Sequence, residues 1–224
     1  MAIPKIIHQT CKSPRELSPE LAPFVEGAAA LHPGWEHRLC GDGECRAAVE
    51  RIFPALLPLY DASTPIQKTD IFRVVAVYGD GGFYLDTDVM CRHPLDDLCE
   101  FRAVFGEELT LSPEETARRG LGNPLRVGNY AFGSEPGHPF LLEILEGMAE
   151  RAGRAIAAED DVLESTGPGL VTAVYMKHGT RFKDVVILRN LDRTCQICKT
   201  VSCHFGNYAA HVHAGSWRWE NLKG

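Results

Sequence analysis

The sequence predicts an α/β protein with a largely parallel central sheet flanked by helices. Short apolar segments typical of buried strands alternate with longer segments of helical composition from the first residues onward. The chain has 224 residues, 45% of them hydrophobic, which is enough for one packed core. We therefore expect a single domain over residues 1–224.

The predicted elements follow one another without an internal repeat or a low-complexity linker. In the first half we predict, in chain order, strand 3–8, helix 20–31, strand 35–39, helix 44–57, helix 64–78 and strand 83–89. In the second half we predict strand 103–107, a loop with a short helical piece at 112–125, strand 130–133, helix 140–151, helix 169–177 and strand 185–188. In such sheets, ligands bind at the carboxyl ends of the strands.

The strand predicted at 83–89 ends in two aspartates, and it follows a turn that contains Gly81 and Gly82. Alternate residues of a strand share a face, so Tyr84, Asp86 and Asp88 should lie together. Two neighbouring carboxylates repel each other unless a positive charge lies between them, and a divalent cation with oxygen ligands would supply it. Such a cation can also hold the diphosphate of a nucleotide.

The helix predicted at 64–78 is apolar nearly all round, yet it contains Asp70 and Arg73. Charged side chains are seldom buried without partners, and residues three apart can pair on one helix face. Two interpretations stay open: a structural ion pair, or side chains that face a polar ligand pocket.

Composition and charge argue against several classes of partner. The net charge is −7, and no run of Lys or Arg stands out, which argues against nucleic acid and anionic membranes. No segment approaches the roughly 20 apolar residues of a transmembrane helix, and the first ten residues are too polar for a signal peptide. We expect a cytoplasmic chain without a membrane span; the sequence does not indicate an oligomeric state.

The eight cysteines are interpreted as reduced thiols, because the chain is long and has no secretory signal. One group admits an alternative interpretation. Cys195, Cys198, Cys203 and His204 lie close together in the sequence, and these residue types can bind zinc. The spacing is uncommon for a zinc knuckle, so free thiols are favoured.

A series of motifs resembles glycosyltransferase family 32, whose members carry a DXD motif and include the yeast initiating α-1,6-mannosyltransferases. The central motif is Asp70-x-x-Arg73 followed by Gly81-Gly82-x-Tyr84-x-Asp86-x-Asp88. The opening strand, segment 129–140, Thr166-Gly167-Pro168 and His211-x-His213-x-Gly215-Ser216-Trp217 also fit, in the family's order. Glucosyltransferase domains of clostridial toxins are similar over the central motif.

The resemblance implies a GT-A-like fold and metal-dependent, retaining transfer of a sugar. The donor would be a UDP- or GDP-linked sugar, and the acceptor a hydroxyl group of a saccharide or another molecule, with a glycan expected. Asp86 and Asp88 would be the catalytic residues and metal ligands. His211 or His213 would complete the metal site, with His213 narrowly favoured. Imidazole suits Mn²⁺ better than Mg²⁺, so Mn²⁺ is expected and Mg²⁺ is the alternative.

The resemblance also assigns donor binding to residues spread along the chain. They are His8, Gln9, Asp70, Arg73, Gly82, Tyr84, Asp86, Asn129, Thr166, Gly167, Ser216 and Trp217. Residues 205–224 combine metal-ligand types, a glycine and tryptophans, which favours a lid that closes over the donor. Two other functions stay open: a catalytically inactive nucleotide-sugar or carbohydrate-binding protein, and a metal-dependent phosphohydrolase.

Overall fold

The computed structural model describes residues 3–110, 112–118, 120, 124–178, 181–189 and 204–214. In the first half the elements are β1 (Ile6–Thr10), α1 (Ala22–Leu31), β2 (Glu36–Cys40), α2 (Asp42–Ile52), α3 (Leu57–Ala62), α4 (Pro65–Asp80), β3 (Gly82–Leu85) and β4 (Val89–Cys91). In the second half they are β5 (Ala103–Thr110), α5 (Pro113–Arg118), β6 (Leu125–Ser134), α6 (Pro139–Glu150), α7 (Glu159–Ser165), α8 (Pro168–His178), β7 (Val185–Leu188), β8 (His204–Phe205) and β9 (Ala209–His211). The predicted alternation of strands and helices is confirmed.

The central sheet has six strands in the order β2-β1-β3-β6-β5-β7. β1 runs parallel to β2 and β3, and β5 runs parallel to β7, whereas β6 is antiparallel to both β3 and β5. Three of the five pairings are therefore parallel, as expected for a mainly parallel sheet. The carboxyl ends of β1, β2 and β3 meet at one edge, where ligands are expected.

Helix α4 is the central helix of the core, and its sequence explains both of its ends. Pro65 occupies the first turn, where its missing N–H costs nothing, and the side chain of Gln67 accepts a hydrogen bond from the Thr64 N–H at 3.1 Å. Its interior residues, such as Phe72 and Val75, are fully buried. Each such side chain contributes about 1.5–3 kcal/mol through burial.

The glycine turn after α4 is required by backbone geometry. Gly81 and Gly82 have φ angles of 69° and 97°, in the region that favours glycine. A Cβ on Gly82 would also lie 2.6 Å from the carbonyl oxygen of Ile6 on β1. Gly82 therefore permits the close approach of β3 to β1, which gives this predicted donor-binding residue a structural reason to be glycine.

The prediction of one continuous strand over 83–89 is wrong. β3 ends at Leu85, and the Val89 N–H donates to the Asp86 carbonyl at 3.0 Å, which closes a turn. Asp86 and Asp88 are therefore brought together by a turn rather than by strand alternation. After the turn, β4 joins β9 and β8 in a separate three-stranded sheet.

Other boundaries also differ from the predictions. β6 spans ten residues rather than four, because its first part pairs with β5 across two irregularities of register. α2 ends at Ile52, since Pro54 cannot continue it. Segment 204–211 forms β8 and β9 in the small sheet, so the described part of the predicted lid belongs to the fold. No helix within the described residues is long and apolar enough to cross a membrane.

Candidate functional site

A cleft of about 910 Å³ opens at the carboxyl ends of β1 and β3. The segment after β1, the first turn of α2, the end of α3 and the first turns of α4 form its walls. At one end of the cleft lie Asp86, Asp88 and His211. The other lining residues include Thr10, Cys11, Lys12, Leu17, Asp42, Arg46, Tyr60, Lys68, Thr69, Arg73 and Tyr84.

Asp86, Asp88 and His211 form a compact group in which one ligand atom from each residue lies within 4.8 Å of the others. Strand pairing places the histidine: β9 is antiparallel to β4, with His211 in register with Val89, the residue after Asp88. The Val212 N–H also donates to the Asp88 carbonyl at 2.9 Å. The two aspartates come from the turn after β3, and the histidine comes from the C-terminal small sheet.

Asp88 and His211 form an ion pair, with His211 Nε2 3.0 Å from Asp88 Oδ1. Burial penalises the charged form of both side chains, but the hydrogen bond and the attraction between them outweigh it. The pKa of Asp88 is therefore lowered and the pKa of His211 is raised. The Ala214 N–H donates to Asp88 Oδ2 at 2.9 Å, which further stabilises the carboxylate.

Arg73 and Tyr84 hold the side chain of Asp86. The Tyr84 hydroxyl donates to Asp86 Oδ1 at 2.7 Å, and Arg73 Nη2 lies 3.1 Å from the same oxygen. Burial nevertheless raises the pKa of Asp86, with Arg73 and His211 acting against it. The carboxylate thus has a fixed orientation, in a site where a positive ligand would lower its free energy.

The geometry of this group fits a divalent cation. In an octahedral shell with bonds of about 2.1 Å, neighbouring ligand atoms are about 3 Å apart, and the Asp88 and His211 ligand atoms are 3.0 Å apart. Two carboxylates and one imidazole leave positions free for phosphate oxygens. Of the two histidines named from the sequence, His211 belongs to the group and His213 does not, within the described residues.

His213 adjoins the group without being one of its ligands. Its backbone has a φ of 55°, which a non-glycine residue seldom adopts, and its ring lies 4.1 Å from the ring of His211. His211 also stacks on Tyr130, with ring centroids 4.8 Å apart. His213 therefore lies against the ring of His211 and turns the chain so that the Ala214 N–H reaches Asp88.

Asp70, Asn129 and Thr166 meet in the interior beside Arg73. Asn129 Nδ2 donates to Asp70 Oδ1 at 2.9 Å, and Thr166 Oγ1 donates to Asp70 Oδ2 at 2.9 Å. Burial raises the pKa of Asp70 to about 6, with Arg73, Thr166 and Asn129 acting against it. The predicted pairing of Asp70 with Arg73 is present, at 3.5 Å. Of this set, only Arg73 lines the cleft.

The remaining predicted donor-binding residues lie in different surroundings. His8 is buried, and its Nε2 lies 2.8 Å from the Gly81 carbonyl oxygen; burial lowers its pKa. Gln9 is also buried, and its Nε2 has no hydrogen-bond partner among the described residues. Neither side chain lines the cleft, whereas the next residue, Thr10, does. Ser216, Trp217 and the cysteines at 195, 198 and 203 lie outside the described residues.

Sequence reasoning missed several residues of the cleft walls. Lys12, Asp42, Tyr60 and Lys68 line the cleft but were not singled out. The available signal was their position: Lys12 follows β1, and Asp42 follows β2, at the sheet edge where ligands bind. Lys68 Nζ lies 5.7 Å from the centre of the Tyr60 ring, a contact between helices that the sequence does not indicate.

Comparison with known proteins agrees with this site. Residues 20–105 match the family described as "Glycosyltransferase sugar-binding region containing DXD motif", and this range includes Asp86 and Asp88. Among curated proteins, "Inositol phosphoceramide mannosyltransferase 3" of Schizosaccharomyces pombe is 32% identical over 78% of this chain and 45% of its own length. The chain thus spans about half the length of that relative.

In two further comparisons, the match covers more of the similar protein's own length. "Uncharacterized glycosyltransferase L373" of Acanthamoeba polyphaga mimivirus is 27% identical over 96% of this chain and 84% of its own length. The solved structure "PaToxG Glycosyltransferase" superposes with a TM-score of 0.58 at 16% identity, covering 81% of this chain and 72% of that chain. The fold is therefore that of the GT-A glycosyltransferases, and residues 20–105 match the DXD-type sugar-binding region of such enzymes.

Proposed function

We propose that this chain, which contains the sugar-binding region of the DXD-motif glycosyltransferases, transfers a sugar from a nucleoside-diphosphate sugar to a hydroxyl acceptor with the help of a divalent cation. The observation that carries the proposal is the group of Asp86, Asp88 and His211 at one end of the cleft. A phosphohydrolase could use the same ligands, but the match to a sugar-binding region favours a nucleotide sugar.

The donor would lie along the cleft with its diphosphate at the metal end. A cation held by Asp86, Asp88 and His211 would neutralise the leaving diphosphate, and Mn²⁺ suits this mixed oxygen and nitrogen set. The nucleoside would extend past Thr10 toward the first turn of α2. The sugar remains open, although the names of the fission yeast relatives favour mannose.

In the proposed retaining reaction, the bond from the anomeric carbon to the diphosphate oxygen breaks. The acceptor oxygen bonds to the same face of that carbon, and its proton passes to a donor phosphate oxygen. Asp86 Oδ1 is engaged by Arg73 and Tyr84, and both oxygens of Asp88 accept hydrogen bonds. These contacts favour a role as metal ligands over that of a covalent nucleophile, which supports the proposal of front-face displacement.

The predicted lid over residues 205–224 remains part of the proposal. Residues 204–211 are attached to the fold through β8 and β9, and the Ala214 N–H donates to Asp88. Residues 215–224 lie outside the described residues. Closure over the donor would exclude water, which would otherwise hydrolyse it.

Binding and product analysis together test the proposal. Calorimetry should show that UDP- or GDP-sugars, GDP-mannose included, bind with Mn²⁺ and not with EDTA, and ligand binding should raise the unfolding temperature. Incubation with simple glycosides should then give a nucleoside diphosphate and an extended glycoside. Donor binding without any product would favour the inactive binding protein, and cleavage of unrelated phosphate esters would favour the phosphohydrolase. Equal activity in EDTA would refute metal dependence.

A further inference from the structure

Two charged residues on the antiparallel strands β5 and β6 lie near the metal end of the cleft. We propose that Glu108 and Arg126 form an acceptor subsite, which binds the hydroxyl groups of a neutral saccharide. This assignment rests on the proposed function, because it names the residues that would hold the second substrate of the transfer.

The path from Glu108 to the metal group runs through one aromatic ring. The pairing of β5 with β6 shifts register on either side of Glu107, and such irregularities redirect the side chains that follow. A Cβ on Gly128 would lie 3.2 Å from Glu108 Cβ and 2.6 Å from Tyr130 Cε1, so these two side chains meet over a position without one. Tyr130 in turn stacks on His211, with ring centroids 4.8 Å apart. Tyr130 therefore connects Glu108 with His211.

The pair lies outside the donor cleft. His211 lines the cleft, whereas Glu108, Arg126 and Tyr130 are not among its lining residues. The charge of Glu108 still reaches the metal group: burial lowers the pKa of His211, and Asp88, Asp86 and Glu108 raise it. In front-face displacement the acceptor oxygen approaches on the side of the leaving diphosphate. An acceptor held by the pair would adjoin that end without occupying the space of the donor.

The pair has hydrogen-bonding capacity that its own contact does not use. Arg126 Nε lies 2.8 Å from Glu108 Oε2, but the two buried atoms are not aligned for a hydrogen bond, and neither has another partner among the described residues. By contrast, Arg46 makes two aligned hydrogen bonds with Asp61, each at 2.8 Å. Buried polar atoms without hydrogen bonds are costly, so hydroxyl groups that reach Glu108 and Arg126 would be stabilised there.

The opposite charges of the pair favour a neutral acceptor. A phosphate group would be attracted by Arg126 but repelled by the adjacent carboxylate of Glu108. A sugar hydroxyl can donate to the carboxylate and accept from the guanidinium, and hydrogen bonds to charged groups are stronger than those between neutral groups. The pair is therefore suited to a simple glycoside rather than to its phosphorylated form.

The experiment measures donor and acceptor separately in the parent chain, in Glu108→Gln and in Arg126→Gln. Calorimetry with Mn²⁺ measures the affinity for UDP-sugars and GDP-sugars. Saturation-transfer NMR, with Mg²⁺ and a nucleoside diphosphate, measures binding of methyl mannoside, methyl glucoside and mannose 6-phosphate, and transfer assays give KM and kcat for the glycosides. Glu143→Gln on α6 is the control, because Glu143 pairs with Arg181 at 3.0 Å and its side chain is 24% exposed, close to the 22% of Glu108.

We expect both subsite variants to weaken glycoside binding and to raise the glycoside KM about 10-fold. Donor affinity, and kcat at saturating glycoside, should stay within about 2-fold of the parent, because only the binding of the acceptor is changed. If Arg126→Gln does not fold, Arg126→Lys replaces it, since it keeps the charge and loses the planar fork.

Three results would overturn the assignment. They are a glycoside KM equal to that of the Glu143→Gln control, a loss of Mn²⁺-dependent donor affinity, which would mean that the pair supports His211, and no binding of any glycoside to the parent chain. Tighter binding of mannose 6-phosphate than of methyl mannoside would refute the neutral class of acceptor. Glycoside binding without any transfer in the parent chain would refute the proposed function and still support the subsite.

Discussion

Replacing each of the two C-terminal histidines separately should identify the metal ligand. His211→Ala removes the imidazole whose Nε2 lies 3.0 Å from Asp88 Oδ1, whereas His213→Ala removes a neighbouring ring that is tilted against it, with ring centroids 4.1 Å apart. We expect His211→Ala to weaken Mn²⁺ binding strongly and His213→Ala to weaken it little. The sequence narrowly favoured His213, so the two variants also decide between the sequence-based and the structure-based assignment.

The size of the effect follows from the contacts. Loss of an outer partner costs about 10–100-fold, so loss of a direct ligand should cost at least about 100-fold, or about 2.7 kcal/mol. His213→Ala leaves all three ligand atoms in place and should cost less than about 10-fold. Calorimetry with Mn²⁺ and a bound nucleoside diphosphate measures both values. Equal weakening by the two variants would refute the assignment of His211.

The same ion pair should give the metal-free protein a characteristic dependence of stability on pH. The raised pKa of His211 means that its contribution is complete below the ordinary histidine value of about 6.5 and is lost as pH rises through the higher folded-state pKa. The lowered pKa of Asp88 means that its contribution is lost as pH falls through the folded-state value, below 3.8. Urea unfolding in EDTA should show this window in the parent and not in His211→Ala.

Three other variants test separate features. Asp88→Asn should abolish Mn²⁺-dependent donor binding, measured by calorimetry, while the circular dichroism spectrum stays that of the parent, because the aspartate lies in a turn at the surface of the core. Gly82→Ala should destabilise the fold by at least about 2 kcal/mol, since its φ is 97° and its Cβ would lie 2.6 Å from the Ile6 carbonyl oxygen; Gly43→Ala, with nothing within 4 Å of the added Cβ, is the matched control in thermal unfolding. Truncation after residue 214 should leave Mn²⁺ binding intact and abolish sugar transfer if the predicted lid over residues 205–224 acts in the reaction, and a truncated chain that transfers sugar at the parent rate would contradict the lid.

The sequence predicted the fold well where hydrophobic pattern and glycine signals agreed. The α4 helix, the glycine turn and strand β7 at 185–188 were all expected, because buried apolar runs and turn residues are local signals. β6 and β9 were missed or shortened, since their pairing partners are far away in the sequence. A strand that depends on a distant partner has little local pattern of its own.

The sequence also did not identify which histidine joins Asp86 and Asp88, because that too depends on a pairing between distant segments. Both histidines lie close to the DXD motif, and only the register of β9 against β4 separates them. That register puts His211 beside Asp88, and the left-handed backbone of His213 then directs the next amide to the same carboxylate. Neither the register of a two-stranded pairing nor a left-handed histidine can be derived from residue spacing.

The donor-binding residues implied by the resemblance separate by depth in the structure. Tyr84, Arg73 and Asp86 line the cleft, whereas Asp70, Asn129 and Thr166 lie directly behind them and bond to one another. Spacing along a chain identifies which residues belong to a site, but it does not tell how deep each one lies. Asp70-x-x-Arg73 thus has one member that lines the cleft and another that lies behind it and pairs with it. The buried member has a physical reason to be charged, because a buried arginine needs acceptors, and Asp70 and Asp86 lie 3.5 and 3.1 Å from Arg73 Nη2.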